Sequence, residues 1–375
     1  MRPIQMVDTR TQYLNIKSEV DAAIHDVLDS AAYINGKWVK DFSEDLGKYM
    51  GGVHTIPCAN GTDALQIAMM ALGLEPGDEV ITPSFTYIAT TEVVALLRLH
   101  PVFVEVDPTT FCMDPDALRK AITPRTRAIV PVHLYGHAAP MDEILQIARE
   151  HGLYVIEDNA QAIGCDYTSA DGNRYKTGTM GTIGTTSFYP SKNLGAFGDG
   201  GAIFTRDAEL AKQLTMIANH GQQKRYYHEK VGCNSRLDSM QAAILRIKLQ
   251  HLDAYNGARR KVAEFYNQAF AGHSNIQTPV VAPYSSHVYH QYTLLIQEAD
   301  RDALSRYLSD HQIPSMIYYP VPGHRQPMFA GNTAALPDLP ITDWLTERVI
   351  SLPVHTEMDE EQLNWISRHV LEFLS

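Results

Sequence analysis

From residue 54 onward, short β-branched runs alternate with helical stretches, and this alternation limits the chain to very few folds. HTIPC (54–58) leads into DALQIAMMALGL (63–74), DEVITPS (78–84) into YIATTEVVALLRL (87–99), and PVFVEVD (101–107) into DPDALRKAI (114–122). RAIVPVH (127–133) then precedes MDEILQIARE (141–150), and YVIEDNA (154–160) follows. Such a series predicts βαβ units and a mostly parallel sheet covered by helices on both faces. Residues 178–207 are rich in Gly, Thr and Ser and read as strand, loop, strand. A helical region from about Asp238 to Phe270 is expected to break near Asn256-Gly257, a hinge signal. Beyond it, QYTLLI, DRDALSRYLSDH, the loop YYPVPGHRQP and EEQLNWISRHVLEFL predict a smaller α/β unit. The expected division is a large domain over 15–250 and a small one over 251–375, with segment 1–14 packed near the latter.

Composition narrows the function. Of 375 residues 45% are hydrophobic and 20% charged, as in ordinary globular proteins, and the formal charge is −12. The compact basic run Arg259-Arg260-Lys261 lies inside a helical pattern, so nucleic acid is excluded as a main partner. Cys58, Cys112, Cys165 and Cys233 have neither disulfide-framework nor zinc spacing. No run reaches the ~18 apolar residues of a membrane span, and the N-terminus lacks a signal peptide's apolar stretch. A cytoplasmic protein with no membrane partner is expected. His133 and His137 are spaced for a helical metal pair, but Pro131 and Gly136 around them argue against a helix, and no metal is predicted.

Three segments at predicted strand ends carry chemistry, which is where open α/β sheets place ligands. Asn60-Gly61-Thr62-Asp63 opens a helix and offers a phosphate seat, or else Thr62 or Asp63 simply caps that helix. Glu157-Asp158-Asn159-Ala160-Gln161 ends an apolar strand, so its two adjacent acids point to opposite faces. Each needs a partner, either a ligand or a salt bridge or cap. Lys192 follows Ser187-Phe188-Tyr189-Pro190-Ser191 on a loop with glycines at 195, 198, 200 and 201. It is either a surface lysine or a desolvated amine suited to Schiff-base chemistry. Together these segments supply what pyridoxal phosphate requires: a lysine, a carboxylate, a phosphate cradle and, from Phe85 and Tyr87, an aromatic ring cover.

The sequence resembles the DegT/DnrJ/EryC1/StrS family of pyridoxal-phosphate-dependent nucleotide-sugar aminotransferases. NGTDAL, GDEVITPSFTYIAT, P-x-F-V-E-V-D, V-x-L-Y-G, IEDNAQAIG, SFYPSKN-x-G-x-x-GDGG and NSRLD-x-x-QAAIL recur in the family's order. The resemblance implies the aspartate-aminotransferase fold (pyridoxal-phosphate fold type I). It places Lys192 as the cofactor's Schiff-base lysine and general acid–base, and Asp158 as the partner of the pyridine nitrogen. Gln161 and Tyr87 would lie against the ring, and Gly61, Thr62 and Ser187 would hold the phosphate. Asn234 matches a residue given to the neighbouring subunit's phosphate, which implies a homodimer with shared sites. Retention of the lysine, where a dehydrating subgroup has histidine, implies transamination from L-glutamate through pyridoxamine phosphate.

Arg236 within NSRLD resembles the branch that aminates the 3-position of nucleotide-linked sugars. RYYHEKVGCNSRLD resembles enzymes using UDP-2-acetamido-2-deoxy-3-keto-D-glucuronate, for surface polysaccharide biosynthesis. A guanidinium is the natural partner of the added carboxylate, which makes Arg236, then Arg225, the candidate contact, with a dimer-interface ion pair as the alternative for Arg236. Tyr318, Tyr319 and His324 sit where this branch has substrate contacts, although histidine is frequent at the position of Tyr318. His324 either approaches the diphosphate or forms a structural turn. A dTDP-3-keto-6-deoxyhexose or 4-keto sugar is the alternative substrate, and a non-catalytic regulatory member the alternative of another class.

Overall fold

The computed structural model describes residues 2–330 and 337–375. Helices α1 (Thr9–Asn15), α2 (Lys17–Ser30) and α3 (Lys37–Tyr49) come first. The expected alternation follows: β1 (His54–Cys58), α4 (Gly61–Ala71), β2 (Glu79–Pro83), α5 (Ala89–Leu96), β3 (His100–Val104), α6 (Pro115–Ala121), β4 (Thr126–Ile129), α7 (Met141–His151) and β5 (Tyr154–Asp158). A hairpin of β6 (Asp166–Thr168) and β7 (Arg174–Lys176) precedes β8 (Ile183–Ser187), β9 (Gly201–Thr205) and α8 (Ala208–Ala218). A second hairpin, β10 (Gln222–Lys224) and β11 (Tyr227–His228), leads to α9 (Ser239–Ala269). The remainder is β12 (Ile276–Gln277), β13 (Tyr292–Ile296), α10 (Arg301–Asp310), α11 (Pro340–Arg348), β14 (Val349–Leu352) and α12 (Glu360–Leu374).

Seven strands form one sheet in the order β1-β9-β8-β5-β4-β2-β3, parallel except for β9, which runs against both neighbours. Its strands are apolar on both faces. Ile81, Ile129 and Val155 pack into the core under α6 and α7, while their neighbours Val80, Ala128 and Ile156 pack under α4 and α8. Each such buried aliphatic side chain contributes about 1.5–3 kcal/mol. That is why the strand runs lack polar alternation. A smaller antiparallel sheet, β12-β13-β14, is covered by α10, α12 and the second half of α9. At the N-terminus, Arg2 reaches Asp359 at 3.0 Å, and Ile4 packs against the core beneath this small sheet.

The break expected near Asn256-Gly257 does not exist, because α9 is a single helix of 31 residues. Its first half, with Leu245, Leu249 and Leu252, packs against Trp38, Phe42 and Phe188, and its second half, with Val262, Tyr266 and Phe270, packs under the small sheet. The ~1 kcal/mol helix cost of one glycine is outweighed by burial on both sides. Asn256, a turn former in isolation, is 1% exposed with its amide fully engaged. A boundary at 250/251 therefore falls inside a continuous helix.

A Cβ at Gly257 would meet nothing within 4 Å. Gly257→Ala should accordingly raise the urea midpoint, with a gain of about 0.4–1 kcal/mol from the restricted unfolded chain. A lower midpoint would show that a flexible point at 257 is needed.

Candidate active site

Because β1, β8, β5, β4, β2 and β3 run in the same direction, their carboxyl ends share one edge of the sheet. Asn60 to Thr62 follow β1 there, Ser187 ends β8, Asp158 ends β5, and Ser84 to Tyr87 follow β2.

The two acids of β5 separate as strand geometry requires. Glu157 is fully buried and accepts from the amides of Gly178, Met180 and Gly181 at 2.5–2.7 Å and meets His133 Nε2 at 2.9 Å. It holds the loop into β8, so the ordinary structural reading applies to it. Asp158 faces the other way. Its carboxylate accepts from Thr90 Oγ1 at 2.8 Å and from the amide of Ala160 at 3.1 Å.

Lys192 lies within the field of the Asp158 carboxylate. Its loop folds back so tightly that a Cβ at Gly195 would lie 2.3 Å from Pro190 O. The Lys192 amide donates to Tyr189 O at 2.8 Å. Its amine is 3.5 Å from His290 Nε2. Desolvation lowers the Lys192 pKa from 10.5 to about 8, against an opposing pull from the Asp158 carboxylate. His290 is pushed well below its usual value by burial, so it is a neutral neighbour that adds no competing charge. A desolvated amine beside a carboxylate, with no direct ion pair between them, is poised for nucleophilic and proton-transfer chemistry near neutral pH.

The start of α4 lies alongside Ser187. The side chain of Asn60, not Thr62 or Asp63, caps α4 by accepting from the Asp63 amide at 2.8 Å. With Ala64 bonded to Asn60 O, the first amides of the helix, those of Gly61 and Thr62, are left to other partners at its positive end. A Cβ at Gly61 would come within 2.7 Å of Ser187 Cβ, so glycine lets the helix start touch the end of β8. Gln161 accepts from the Tyr135 amide at 2.9 Å and donates to Tyr319 Oη at 3.1 Å. Tyr87 is 56% exposed, with its ring 6.2 Å from that of Tyr319. Phe85 is not available as a ring cover, because it is 1% exposed and packs against Phe111 and Tyr135 in the core.

Four expected contacts lie elsewhere in the chain. Asn234 is exposed and bridges to Asn219. Arg236 lines a cavity of about 360 Å³ with Asn35, Thr55, Pro57 and Asn219, beside edge strand β1. Arg225 is exposed in the β10–β11 hairpin, over the Tyr226 ring. Among the described residues none of these touches Lys192 or Asp158. His324 is 1% exposed, with Nδ1 2.7 Å from Ser84 Oγ and its amide donating to that same hydroxyl. Through Ser84 it ties its turn to the residue that follows β2. Tyr318 and Tyr319 do reach the site, Tyr319 through Gln161 and Tyr318 through its carbonyl, which accepts from Tyr135 Oη.

A mixed seven-stranded sheet with an amine, a carboxylate and a helix start converging at its carboxyl edge defines a pyridoxal-phosphate enzyme of the aspartate-aminotransferase fold. The groups present match that cofactor's aldehyde, ring nitrogen and phosphate. The chain belongs to the DegT/DnrJ/EryC1/StrS aminotransferase family, whose model matches residues 14–371. A Geobacillus stearothermophilus pleiotropic regulatory protein is 44% identical over 99% of this chain and 98% of its own. A UDP-N-acetyl-3-dehydro-α-D-glucosamine 3-aminotransferase of Acidithiobacillus ferrooxidans is 46% identical over 96% and 95%. The UDP-2-acetamido-2-deoxy-3-oxo-D-glucuronate aminotransferase of Pseudomonas aeruginosa is 44% identical over 97% and 98%. The crystal structure of Streptomyces venezuelae DesV with a ketimine intermediate superposes with a TM-score of 0.95, at 41% identity over 100% of this chain and 99% of that one. The protein is an aminotransferase that uses pyridoxal phosphate.

Sequence reasoning missed Thr90 and His290, which lie 68 and 98 residues from the groups they touch. No local pattern marks a hydroxyl inside α5 as the partner of an acid on β5.

The Lys192 shift has a testable sign. A base whose folded-state pKa is lowered destabilises the fold fully below that value and not at all above its unfolded value. Lys192→Met should therefore raise the melting temperature of the cofactor-free protein at about pH 7, and the gain should fade as pH rises from about 8 towards 10.5. A gain independent of pH would mean the amine is not desolvated.

Proposed function

We propose that the protein transfers the amino group of L-glutamate to the 3-keto carbon of a nucleotide-linked sugar, UDP-2-acetamido-2-deoxy-3-keto-D-glucuronate being the favoured acceptor. The observation that carries the reading is the desolvated Lys192 amine facing Asp158 at the carboxyl edge of the sheet. The relatives that act on UDP-linked 3-keto sugars, at 44–46% identity over nearly the whole chain, support the acceptor.

When bound, pyridoxal phosphate supplies an aldehyde for primary amines and a ring that withdraws electrons from the bond being broken. Asp158, fixed by Thr90, would keep the ring nitrogen protonated by its charge. The amides of Gly61 and Thr62 and the hydroxyl of Ser187 would hold the phosphate, and Gln161 and Tyr87 would lie against the ring. With cofactor and amino donor bound, Lys192, whose pKa lies near working pH, would serve as general base and then general acid for the proton that leaves the donor's carbon.

The reading includes a homodimer. Asn234, which bridges to Asn219, and Arg236, which lines the cavity beside β1, are the groups assigned to a neighbouring subunit's site, with Arg236 and then Arg225 offered to the sugar carboxylate. The proposed cofactor body (15–250) and small body (251–375) share helix α9, which crosses that division, and the proposed compartment is the cytoplasm, consistent with four free cysteines. Among the described residues no helix is long and apolar enough to cross a membrane. The regulatory name of one relative gives a second reading, ligand sensing without turnover. A sensor has no use for a Schiff-base lysine beside an electron sink.

The test is direct. Protein saturated with pyridoxal phosphate should absorb in the visible, lose the band on adding glutamate, and turn over UDP-linked 3-keto-glucuronate generated in a coupled reaction, with aminated product followed by mass. Lys192→Ala should abolish turnover, and Arg236→Ala should raise KM for the glucuronate about 10–100-fold, the ~1.5–3 kcal/mol of a charged hydrogen bond. Persistence of the band in glutamate would sink the enzyme reading. Equal turnover of dTDP-linked or 4-keto sugars would sink the choice of acceptor.

A further inference from the structure

Helix α9 buries Lys248, Asn256 and Arg259 in one stripe, spaced eight and three residues apart, at 1%, 1% and 2% exposure. Burying two cations is costly without counter-charges, and among the described residues no carboxylate pairs with either. Both are spent on backbone carbonyls instead. Lys248 Nζ donates to Gly195 O at 2.6 Å, and Arg259 Nη1 donates to the carbonyls of Tyr289, His290 and Val354 at 3.2, 3.4 and 2.8 Å. The environment bears out the cost, since desolvation pushes Lys248 down to about 8 and Arg259 down to about 10. A stripe of leucines would pack the helix more cheaply.

Three of these carbonyls, those of Gly195, Tyr289 and His290, belong to the segments that carry Lys192 and its neighbour, while that of Val354 follows β14. Gly195 closes the Lys192 loop, and His290 is the imidazole 3.5 Å from the Lys192 amine. Between the two cations stands Asn256. Its Oδ1 accepts from Asn193 Nδ2 at 2.7 Å, and its Nδ2 donates to Ile163 O at 3.2 Å. Asn193 Nδ2 also donates to Val288 O at 2.9 Å. The Asn256 amide thus ties the residue after Lys192 to the segment just past Gln161, and Asn193 carries the link on to the segment leading to His290. A Cβ at Gly164 would lie 2.5 Å from Asn256 Nδ2, so that segment passes close enough to need glycine.

We propose that Asn256, flanked by Lys248 and Arg259, is a positioning residue that sets where the Lys192 amine stands relative to Asp158. The inference rests on the reading of Lys192 as the amine that binds the cofactor. Asn256 touches neither cofactor nor substrate, and acts through Asn193 and the backbone around it.

The experiment uses the protein saturated with pyridoxal phosphate and reads three quantities: the pH midpoint of the visible band, kcat and KM in the reaction with glutamate, and the melting temperature. Asn256→Ala should move the midpoint by roughly 0.5 unit or more and lower kcat about 10–100-fold, with KM for glutamate nearly constant. Leu252→Ala, a cavity one turn away in the same helix, should lower the melting temperature but leave the midpoint at the wild-type value. Lys248→Met, which keeps the stem and removes the donor to Gly195 O, should shift the midpoint too, and it decides the matter if Asn256→Ala does not fold. A wild-type midpoint in the folded Asn256→Ala protein, or failing that in Lys248→Met, overturns the proposal whatever happens to the melting temperature. Failure of the underlying reading looks different: Lys192→Ala would then keep the wild-type band and its titration.

Discussion

Two adjacent carboxylates end the central strand, and the two-residue period of a strand sends them to opposite faces. Everything at the site depends on that register. Glu157 is drawn to the covered face, where three amides and His133 surround it, and its removal would strand those donors at a cost of about 3–5 kcal/mol. Exposed pairs such as Lys40–Glu44 contribute about 0–1 kcal/mol and decide nothing. With Glu157 held, Asp158 has one direction left, towards the cleft, and a one-residue slip would exchange the two acids and leave the site without its charge.

Lys192 imposes the second demand, since a desolvated amine must be held against its tendency to reach water. Three devices hold it. The loop is short and turns through glycines that admit no Cβ, Asp158 provides attraction without direct pairing, and α9 pins the backbone on both sides with donors carried on a rigid 31-residue helix. The lowered pKa and the packing of α9 are two views of one arrangement. Loops on their own carry catalytic groups loosely, and a helix crossing beneath them supplies the rigidity.

The alternation of strands and helices, the covered parallel sheet, the strand ends that bear Asp158 and Lys192, and the helix start at Gly61 were all legible in the residues. They follow from local periodicity and from the polarity of parallel sheets. The three N-terminal helices went unread, because they lie upstream of the alternation and their apolar faces pack against residues far along the chain, such as Phe188, Phe204 and Leu245. The break expected at Asn256-Gly257 was a correct reading of intrinsic preference that burial overrode. Phe85 was misjudged because a phenylalanine just past a strand is equally ready to line a cleft or to fill the core, and only the neighbours choose.

By itself, then, the sequence determined the class of fold, the edge of the sheet at which chemistry occurs, and the amine, carboxylate and helix start that meet there, since each follows from periods of 2 and 3.6 residues and from residue chemistry. The tertiary structure alone decided which acid faces the site, that Thr90 and His290 are the neighbours of Asp158 and Lys192, and that α9 runs unbroken beneath the lysine loop. Those outcomes are contacts between residues far apart in the chain, settled by competition for buried space and for hydrogen-bond partners that no local pattern encodes.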